Sequence, residues 1–561
     1  AIENGVVVDF AMNEACAAGT GSFLEEQAEK LGIPIKDEFA RLALEAEQPA
    51  RLGERCTVFM ERDVTATMHR GGDLRDVVGG LAYSIVFNYL NRVVRGRKIG
   101  NVIYFQGGTA YNDAVAAAFS KVLAKRIIVP PHNGVIGAIG MALIARERYH
   151  ALRQPSQFRG YDLSRTRFAT REFVCKACSN YCDMKEITIE GQKTYWGDKC
   201  SDKFRKRARS ERRPVIPDLI AFRERALLEG YCGPRGRGPK VGIPQAMFFF
   251  ERFPFWARYL EELGFDVILS GATDRKIAAQ GLELTVAQPC YPIQLAHGHV
   301  EALLEAGADY VLIPNNIDEE APPFQKELPA HFCPWNQTLP FVVRVAPGFQ
   351  AHQSRFLSPT VHFQLGREQV KKELARDFAS VGIRRRDSDR ATDSAYAAQT
   401  DFRERLQAAG REALTVLERT GEPAVVLVGR AYNIYDRNLN CDIPLKLRNT
   451  YGVNVLPLDF LPVEGEDIRP INPNMYWNSG RRILAAGRIV ARFPGLHVVY
   501  ITNFKCGPDS FIKFFLHGAA GSPYLTLQFD GHGNDAGYLT RCEAYLDSKG
   551  ILRCYSQPKG A

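Results

Sequence analysis

Short apolar runs alternate with longer amphipathic stretches through the C-terminal part of the chain. Runs rich in β-branched and aromatic residues, such as 265–270 and 310–314, have the composition of buried strands, and helical spacing of apolar residues follows them. This alternation is typical of parallel sheets with right-handed crossovers. A charged helical stretch at about 368–418 separates two such series. We therefore predict two Rossmann-like parallel α/β lobes, at residues 236–400 and 401–561, with a cleft between them.

Glycine-rich turns join the predicted strands to helices in the N-terminal part. The strand-like run 6–10 leads into a turn of small residues, and a second such turn follows the run 102–105. Turns of this kind let backbone N–H groups approach a phosphate. We therefore predict that residues 1–148 form part of a nucleotide-binding domain. Its candidate nucleotide-binding residues are Gly19, Thr20, Gly21, Gly107, Gly108 and Asn112.

Length and composition add a domain count and exclude a membrane role. A chain of 561 residues with 45% hydrophobic and 24% charged residues is expected to fold as roughly three or four globular domains. Apolar runs such as 114–119 and 424–428 are too short to span a membrane, and residues 1–5 lack the form of a secretory signal. We expect a soluble cytoplasmic protein. Because the chain starts without Met inside a predicted domain, we also expect it to be part of a longer protein.

The formal net charge of +9 raises the question of a nucleic-acid partner. Basic patches at 203–213 and 384–386 are neither interleaved with aromatic residues nor set in a DNA-reading motif. We interpret them as solvated basic faces and predict no nucleic-acid binding. The functional alternative is an acidic partner or a CoA phosphate.

Thirteen cysteines, clustered and without an export signal, indicate reduced thiols that bind metal. Within residues 149–235, a linker leads into a module whose third and fourth cysteines are separated by a hairpin-like run, 186–196. Four such thiolates can form a tetrahedral site for Zn²⁺ or hold a [4Fe–4S] cluster. The spacing favours Zn²⁺, other predicted clusters favour iron–sulfur, and a metal-free module is the alternative. The candidate ligands are Cys175, Cys178, Cys182 and Cys200.

The stretch 498–512 sets a thiol at the end of a predicted strand. An apolar run ends at Cys506, Gly-Pro forces a turn, and Asp509 or Ser510 can cap a helix that we expect to begin near Phe511. Open α/β sheets bind ligands at this end of their strands, and a helix N-terminus favours an anion.

Two further cysteines lie in the same strand-like, Cys-Pro, helix-like context. These are Cys290 and Cys333, both in the first lobe, whereas Cys506 lies in the second. We predict that the three thiols meet in the cleft and hold one iron–sulfur cluster. The alternative is three separate buried, unreactive thiols, since free cysteine is among the most buried residue types.

Other polar residues have weaker assignments. His297 and His299 follow Cys290 on one predicted helix and are interpreted as hydrogen-bonded scaffold or as residues that line the cleft. Arg430 and His532 end strand-like runs and could donate a hydrogen bond to a cluster sulfide or a substrate. The remaining cysteines are interpreted as structural: Cys232, Cys441, Cys542 and Cys554.

The N-terminal motifs resemble the ATPase activators of 2-hydroxyacyl-CoA dehydratases and benzoyl-CoA reductases, of the actin-like (ASKHA) superfamily. The motifs are Asn13 to Phe23, Cys56 to Val64, Gly107-Gly108 with Asn112, and Pro131 to Gly140. The resemblance implies ATP and Mg²⁺ binding, and a [4Fe–4S] cluster held by Cys16 and Cys56 between two copies of the chain. The family's first phosphate loop and acidic Mg²⁺ residue would precede Ala1, so hydrolysis is not expected of this sequence alone.

The C-terminal motifs resemble the second half of long fused activases, which is similar to 2-hydroxyacyl-CoA dehydratase subunits. They include Gly242 to Pro244, Gln288 to Pro292, Phe332 to Pro334, Gly429 to Asn433, and Phe504 to Phe511. In the subunits three cysteines hold a [4Fe–4S] cluster with one open iron, and a related branch carries a double-cubane cluster. Together the two resemblances cover most of the chain.

The leading functional hypothesis is ATP-dependent, low-potential electron transfer that activates a CoA-ester dehydratase or reductase. A ferredoxin or flavodoxin is the expected electron donor, and a homodimer the expected assembly. One alternative is that the chain is itself a dehydratase or reductase whose open iron acts as a Lewis acid. Another is a non-enzymatic, metal-stabilised scaffold.

Overall fold

The chain forms two compact units, Ala1–Thr166 and Arg167–Ala561. The computed structural model describes residues 1–3, 6–7, 21–53, 57–94, 97–152, 160–161, 167–176, 182–197, 212–236, 238–286, 289–320, 329–531 and 535–552. Domain boundaries predicted at 148, 235 and 400 are finer than this two-unit division and stay predictions.

The first unit is mainly helical. The buried helix α4 (Leu74–Tyr89) forms its centre. Residues of this helix such as Val77 and Leu81 are fully enclosed, and Phe39 and Phe23 pack in the same core. A Cβ at Gly80 would meet the carbonyl oxygen of Ala50, so only glycine permits this close approach. The helices are α1 (Gly21–Lys30), α2 (Glu38–Leu44), α3 (Thr57–His69), α4 (Leu74–Tyr89), α5 (Asp113–Leu123) and α6 (Ile136–Leu152). Short strands pair as β1 (Ile2–Glu3) with β2 (Val6–Val7), antiparallel, and β3 (Ile103–Tyr104) with β4 (Ile127–Ile128), parallel.

The second unit opens with a small antiparallel sheet, β5 (Phe168–Val174), β6 (Asp183–Ile189) and β7 (Gln192–Trp196), in sequential order. The predicted hairpin is confirmed: β6 and β7 join through Glu190 and Gly191, which both have the positive φ that a tight hairpin turn requires. Helix α7 (Leu219–Leu228) follows.

The elements of the first lobe are β8 (Lys240–Ile243), α8 (Phe249–Glu262), β9 (Asp266–Leu269), α9 (Arg275–Leu284), α10 (Tyr291–Glu305), β10 (Tyr310–Leu312), β11 (Asn315–Asp318), α11 (Pro334–Val345), β12 (Phe356–Leu357), β13 (Thr360–His362) and α12 (Arg367–Phe378). They form a parallel sheet in the order β12-β10-β8-β9, and a short parallel pair, β11 with β13.

The second lobe has a parallel sheet in the order β15-β14-β16-β17. Its central strand, the run Ala424–Gly429, is buried throughout, as expected where helices cover both faces. The elements are β14 (Ala424–Gly429), α14 (Ala431–Tyr435), α15 (Ile443–Asn449), β15 (Asn454–Pro457), α16 (Asn478–Arg492), β16 (Leu496–Asn503), α17 (Gly507–Ala520), β17 (Leu525–Phe529) and α18 (Asp535–Ser548). The expected α/β architecture with parallel sheets is thus confirmed.

The charged helical stretch predicted at about 368–418 is confirmed and consists of two helices. After α12 the chain turns at Gly382, which has a left-handed φ of 81°, and α13 (Arg385–Thr420) then runs along the second unit. In the described part of the chain, no helix is both long and apolar enough to cross a lipid bilayer.

Candidate functional site

Each of the three thiols predicted to share a cluster stands immediately before a helix. Cys290 is the N-cap residue of α10, Cys333 that of α11 and Cys506 that of α17, and a proline lies in the first turn of all three helices. Proline suits this turn because its missing N–H would be unpaired there. The positive ends of three helix dipoles therefore lie beside the thiols, which favours a bound anion.

Three details of the sequence prediction were wrong at these positions. Helix α17 begins at Gly507 rather than near Phe511, and its N-cap is Cys506 rather than Asp509 or Ser510. The run 284–290 was expected to lead into Cys290 as a strand, but Leu284 ends helix α9. Within the ranges described, a strand ends shortly before the thiol only at Cys506, since β16 ends at Asn503.

Backbone contacts hold Cys333, a first-lobe residue, against the second lobe. The N–H of Phe332 donates to the carbonyl of Ile317 in β11 at 3.1 Å, whereas the N–H of His331 donates to the carbonyl of Tyr476 at 2.8 Å. The segment 331–333 therefore bridges the lobes at the point where α11 begins.

The three thiols share the electrostatic surroundings of two second-lobe residues. Burial raises the pKa of Tyr432 well above its usual value, and charge on Cys333, Cys290 or Cys506 raises it further. Charge on Cys506 and on Cys333 also acts on Arg430. Cys290 interacts in the same way with Cys333 and with Cys506. Electrostatic interactions thus link the three thiols to Arg430 and Tyr432, and Cys290 to the other two thiols.

Burial favours the protonated form of the Cys290 and Cys506 thiols when no metal is bound. Cys290 is 6% and Cys333 7% exposed, and Cys506 is partly exposed. Burial raises the pKa of Cys290 to about 12 and that of Cys506 well above its usual value. A metal centre would replace the protons with its own positive charge, so such buried thiols become good ligands only when metal binds.

Arg430 forms a buried ion pair at the same place. Its Nε and Nη2 donate to Asp509 Oδ1 at 3.2 and 3.0 Å, and the Thr502 hydroxyl donates to Asp509 Oδ2. Arg430 is 4% and Asp509 1% exposed. Asp509 therefore pairs with a guanidinium instead of capping its helix, because a buried cation needs a close anion.

An unused hydrogen-bond donor lies near Cys506. The hydroxyl of Tyr500 is buried and has no hydrogen-bond partner among the described residues, and Cys506, Arg430 and Asp509 all act on it electrostatically. A buried polar group without a partner is uncommon and calls for a ligand or an ordered water. A sulfide of an anionic cluster could accept this hydrogen bond.

In the described ranges, no group of three or more Cys, His, Asp or Glu side chains is arranged to hold a metal ion. In a [4Fe–4S] cluster each thiolate binds a different iron, so the thiols surround a wider space than the ligands of one tetrahedral ion. Three cysteines that each precede a helix N-terminus are chemically suited to such a cluster.

Gly21, the first described residue after the N-terminal glycine-rich run, lies close to the second glycine-rich turn. A Cβ at Gly21 would be 3.3 Å from the Thr109 hydroxyl oxygen, which belongs to the second turn. Gly107 has a φ of 98°, and its N–H donates to the carbonyl of Asn133 at 2.9 Å. Asn112 Oδ1 caps α5 by accepting from two backbone N–H groups. The turns could thus contribute to one phosphate site, although Asn112 already has a structural role.

The four-cysteine module is described in part. Cys175 and Cys182 are buried with Met184, and the N–H of Cys175 donates to the carbonyl of Cys182 at 2.8 Å, which closes the loop between β5 and β6. Several candidate residues lie outside the described residues: Cys16, Gly19, Thr20, Cys56, Cys178, Cys200, His532 and Cys554.

The histidines of α10 are scaffold residues. His299 lies between the hydroxyls of Ser270, 2.8 Å from Nδ1, and Thr273, 2.9 Å from Nε2, and burial lowers its pKa to about 3. The Nδ1 atom of His297 donates to the carbonyl of Ile293, and the imidazole ring of His297 stacks on Phe349.

The remaining described cysteines differ in exposure. Cys542 is buried in α18, Cys232 is exposed and Cys441 is partly exposed. The site residues that the sequence prediction missed are Tyr432, Asp509 and Tyr500. Tyr432 could have been identified from the sequence, since it lies two positions after Arg430 in the motif Gly429 to Asn433.

Comparison with known proteins gives two family matches. Residues 1–145 match the BadF/BadG/BcrA/BcrD ATPase family, and residues 240–461 match the CoA enzyme activase uncharacterised domain. The (R)-2-hydroxyglutaryl-CoA dehydratase activating ATPase of Acidaminococcus fermentans is 32% identical over 147 residues, which are 26% of this chain and 56% of that protein. The activator of lactoyl-CoA dehydratase of Anaerotignum propionicum is 35% identical over 145 residues, 26% of this chain and 55% of that protein.

A solved structure also matches. It is the crystal structure of (R)-2-hydroxyglutaryl-CoA dehydratase component A from Acidaminococcus fermentans, with 31% identity and a TM-score of 0.26, over 27% of this chain and 57% of that one. The chain spans about half the length of the curated relatives it matches. Residues 1–145 thus match the BadF/BadG/BcrA/BcrD ATPase family and residues 240–461 the CoA enzyme activase domain, as the motifs predicted.

Proposed function

We propose that this chain is an iron–sulfur protein of ATP-dependent, low-potential electron transfer that activates a CoA-ester dehydratase or reductase. The observation that supports the proposal is that Cys290, Cys333 and Cys506 each precede a helix N-terminus and that all three interact electrostatically with the buried Tyr432. The relatives of residues 1–145 are named as activators of CoA-ester dehydratases, which supports an ATP-linked role.

In this proposal the three thiolates hold a [4Fe–4S] cluster, which supplies one-electron redox chemistry when bound. The protein contributes the electrostatic surroundings of the cluster. Helices α10, α11 and α17 direct positive dipole ends at the site, and Tyr500 offers a hydrogen-bond donor. Burial limits access of water, so the fixed charges act at low dielectric.

The N-terminal unit is proposed to bind ATP with Mg²⁺ together with the part of the ATPase domain that this chain does not span. The proximity of Gly21 to Thr109 supports a phosphate site formed by Gly19, Thr20, Gly21, Gly107, Gly108 and Asn112. We further propose that Cys16 and Cys56 bind a [4Fe–4S] cluster across a homodimer, because a two-fold axis doubles two ligands to four. A ferredoxin or flavodoxin would deliver the electrons.

Metal and sulfide analysis of anaerobically prepared protein tests the cluster at the cleft. We expect Cys290→Ser, Cys333→Ser and Cys506→Ser each to lose one cluster's iron and sulfide, and its EPR signal on reduction. Cys542→Ser is the matched control, because Cys542 is equally buried but lies in α18. Wild-type protein with zinc and no iron, or full iron content in all three variants, would contradict the proposal.

The four-cysteine module is proposed to bind a separate metal centre through Cys175, Cys178, Cys182 and Cys200. The loop closed by Cys175 and Cys182, both buried, supports it. Metal analysis of Cys182→Ser distinguishes the two chemistries: loss of one zinc indicates a structural ion, and loss of iron with sulfide a cluster. Unchanged metal content would reject the site.

A second candidate function is a dehydratase or reductase activity of the chain itself. The unpaired Tyr500 hydroxyl beside the thiols favours it, because a substrate oxygen could accept that hydrogen bond. An acyl-CoA-dependent change in the spectrum of the reconstituted protein would support this candidate. A metal-containing protein with neither this change nor a redox response would instead be a scaffold.

A further inference from the structure

We propose that the buried Arg430–Asp509 pair sets the reduction potential of the cluster, with the guanidinium raising that potential and the carboxylate lowering it. The inference rests on the proposed function, since it requires a cluster at Cys290, Cys333 and Cys506. It assigns to the pair a role that a purely structural ion pair would not have.

Asp509 engages two of the three guanidinium nitrogens of Arg430. Nε and Nη2 of Arg430 both donate to Asp509 Oδ1, and Nη1 makes no hydrogen bond within the described residues. Arg430 follows directly after β14, at the end of the sheet where β16 leads to Cys506. Nη1 is therefore a donor available to a cluster sulfide.

The carboxylate of the pair lies on the helix that follows Cys506. Asp509 is in the first turn of α17, and Arg430 Nη2 lies 3.0 Å from Asp509 Oδ1. The two charges act on Cys290 and on Cys506 in opposite directions. The pair is thus a fixed dipole beside the proposed cluster ligands.

This arrangement has a direct redox consequence. Reduction adds one electron, supplied by the proposed low-potential donor, to the cluster, and no proton needs to move on the pair. A positive charge nearby stabilises the reduced form and a negative charge destabilises it, more strongly in a buried site than in water. Fixed charges and hydrogen bonds to sulfur are among the features by which proteins set cluster potentials.

The test is an EPR-monitored redox titration of the anaerobically reconstituted full chain. We expect Asp509→Asn to raise the midpoint potential, because it removes a negative charge and keeps the guanidinium. Arg430→Gln should lower it. The double variant R430Q/D509N leaves no unpaired buried charge, so it should fold even if R430Q does not, and its potential should fall below that of D509N.

A matched control separates potential setting from simple loss of a buried ion pair. Asp535→Asn removes an equally buried carboxylate, which pairs with Lys446 at 2.9 Å in the same lobe and is not among the principal charges acting on Cys290 or Cys506. It should leave the potential unchanged.

Two results would overturn the inference, and they differ from each other. If the wild type binds iron and sulfide but D509N and the double variant have the wild-type potential, or shift it in the opposite order, the pair is only structural. If the wild type and Cys506→Ser bind equal iron, the proposed cluster itself is rejected, and this inference with it.

Discussion

At the residue scale, buried ionisable side chains gather where the two lobes meet. Glu319 accepts from Arg252 Nε at 2.8 Å and from Arg403 Nη2 at 3.1 Å, which ties the first lobe to helix α13. Asp459 is paired in the same way by Arg223 at 2.7 Å. Because removing one partner of a buried ion pair typically costs several kcal/mol, these contacts hold the paired side chains in place.

Glu251 is the exception, since its carboxyl group makes no hydrogen bond within the described residues. Burial and then the Glu319 carboxylate raise its pKa from 4.5 to about 7, while Arg482 and Arg430 oppose the rise and Asp459 adds to it. A raised carboxyl pKa means that the folded state binds the proton more tightly than the unfolded state. Its contribution to stability is therefore present below about pH 4.5 and is lost as the pH rises to about 7.

We predict that Glu251→Gln flattens the pH dependence of stability. The shift corresponds to at most about 3 kcal/mol, so the free energy of unfolding of the wild type should fall between pH 5 and pH 8 by more than that of the variant. Urea unfolding at the two pH values measures the difference. Glu412→Gln, an exposed change on α13, is the control and should retain the wild-type slope. Equal slopes for all three proteins would show that Glu251 is not protonated at pH 5 to 7.

A second residue-scale prediction concerns Thr273, which links the lobes. Its hydroxyl donates to Asp436 Oδ2 at 2.6 Å, so the hydroxyl oxygen accepts the proton of His299 Nε2. Thr273→Val removes both contacts inside the protein and should lower the free energy of unfolding by about 1–3 kcal/mol. Thr273→Ser keeps the hydroxyl and should lose much less. Equal stability of the two variants would show that the Thr273 hydroxyl does not contribute to the stability of the fold.

At the element scale, close packing of α9 on α10 positions the helix that Cys290 begins. A Cβ at Gly298 would meet the carbonyl oxygen of Ile277, and one at Gly281 would meet that of Gln294. Backbone atoms cannot move aside as a flexible side chain can. The two glycines therefore set the distance between the helices, and with it the position of the thiol.

We predict that Gly298→Ala destabilises the second unit and disturbs the cluster site. Overpacking of this kind typically costs about 1–3 kcal/mol. Thermal unfolding and iron content of the reconstituted protein measure the two effects. Gly518→Ala in α17 is the matched control, because a Cβ there meets nothing within 4 Å and alanine favours a helix. A wild-type melting temperature and iron content for Gly298→Ala would contradict the packing argument.

At the scale of the whole molecule, the chain consists of two units with separate cores. The core around Phe39 and α4 involves first-unit residues alone, and the lobes and their connecting helices lie within Arg167–Ala561. In the first unit, α6 leaves large apolar side chains such as Met141 and Leu143 exposed. Fewer buried contacts should make this unit the less stable one.

We therefore predict two unfolding transitions in calorimetry of the full chain. The lower should belong to Ala1–Thr166 and the higher to Arg167–Ala561. Removing residues 1–166 should abolish the first transition and leave the second within a few degrees. A single transition that is lost on this truncation would show that the second unit depends on the first.

The sequence by itself determined the alternation of strands and helices, the two α/β lobes and the identity of the cysteines with a shared local context. These features depend on periodicity, on glycine and proline, and on short spacings, which are local properties of the chain. The β6–β7 hairpin and the strand at Ala424–Gly429 could be predicted for this reason.

Only the tertiary structure decided which groups surround the thiols. Arg430 and Asp509 pair across 79 residues, and the hydroxyl of Tyr500 lies near Cys506 only because β16 and α17 fold back on one another. Helix α17 begins at Gly507, and Asp509, expected from the sequence to cap it, instead pairs with the buried Arg430. Burial and long-range charge pairing arise when the sheets assemble, and no local pattern encodes them.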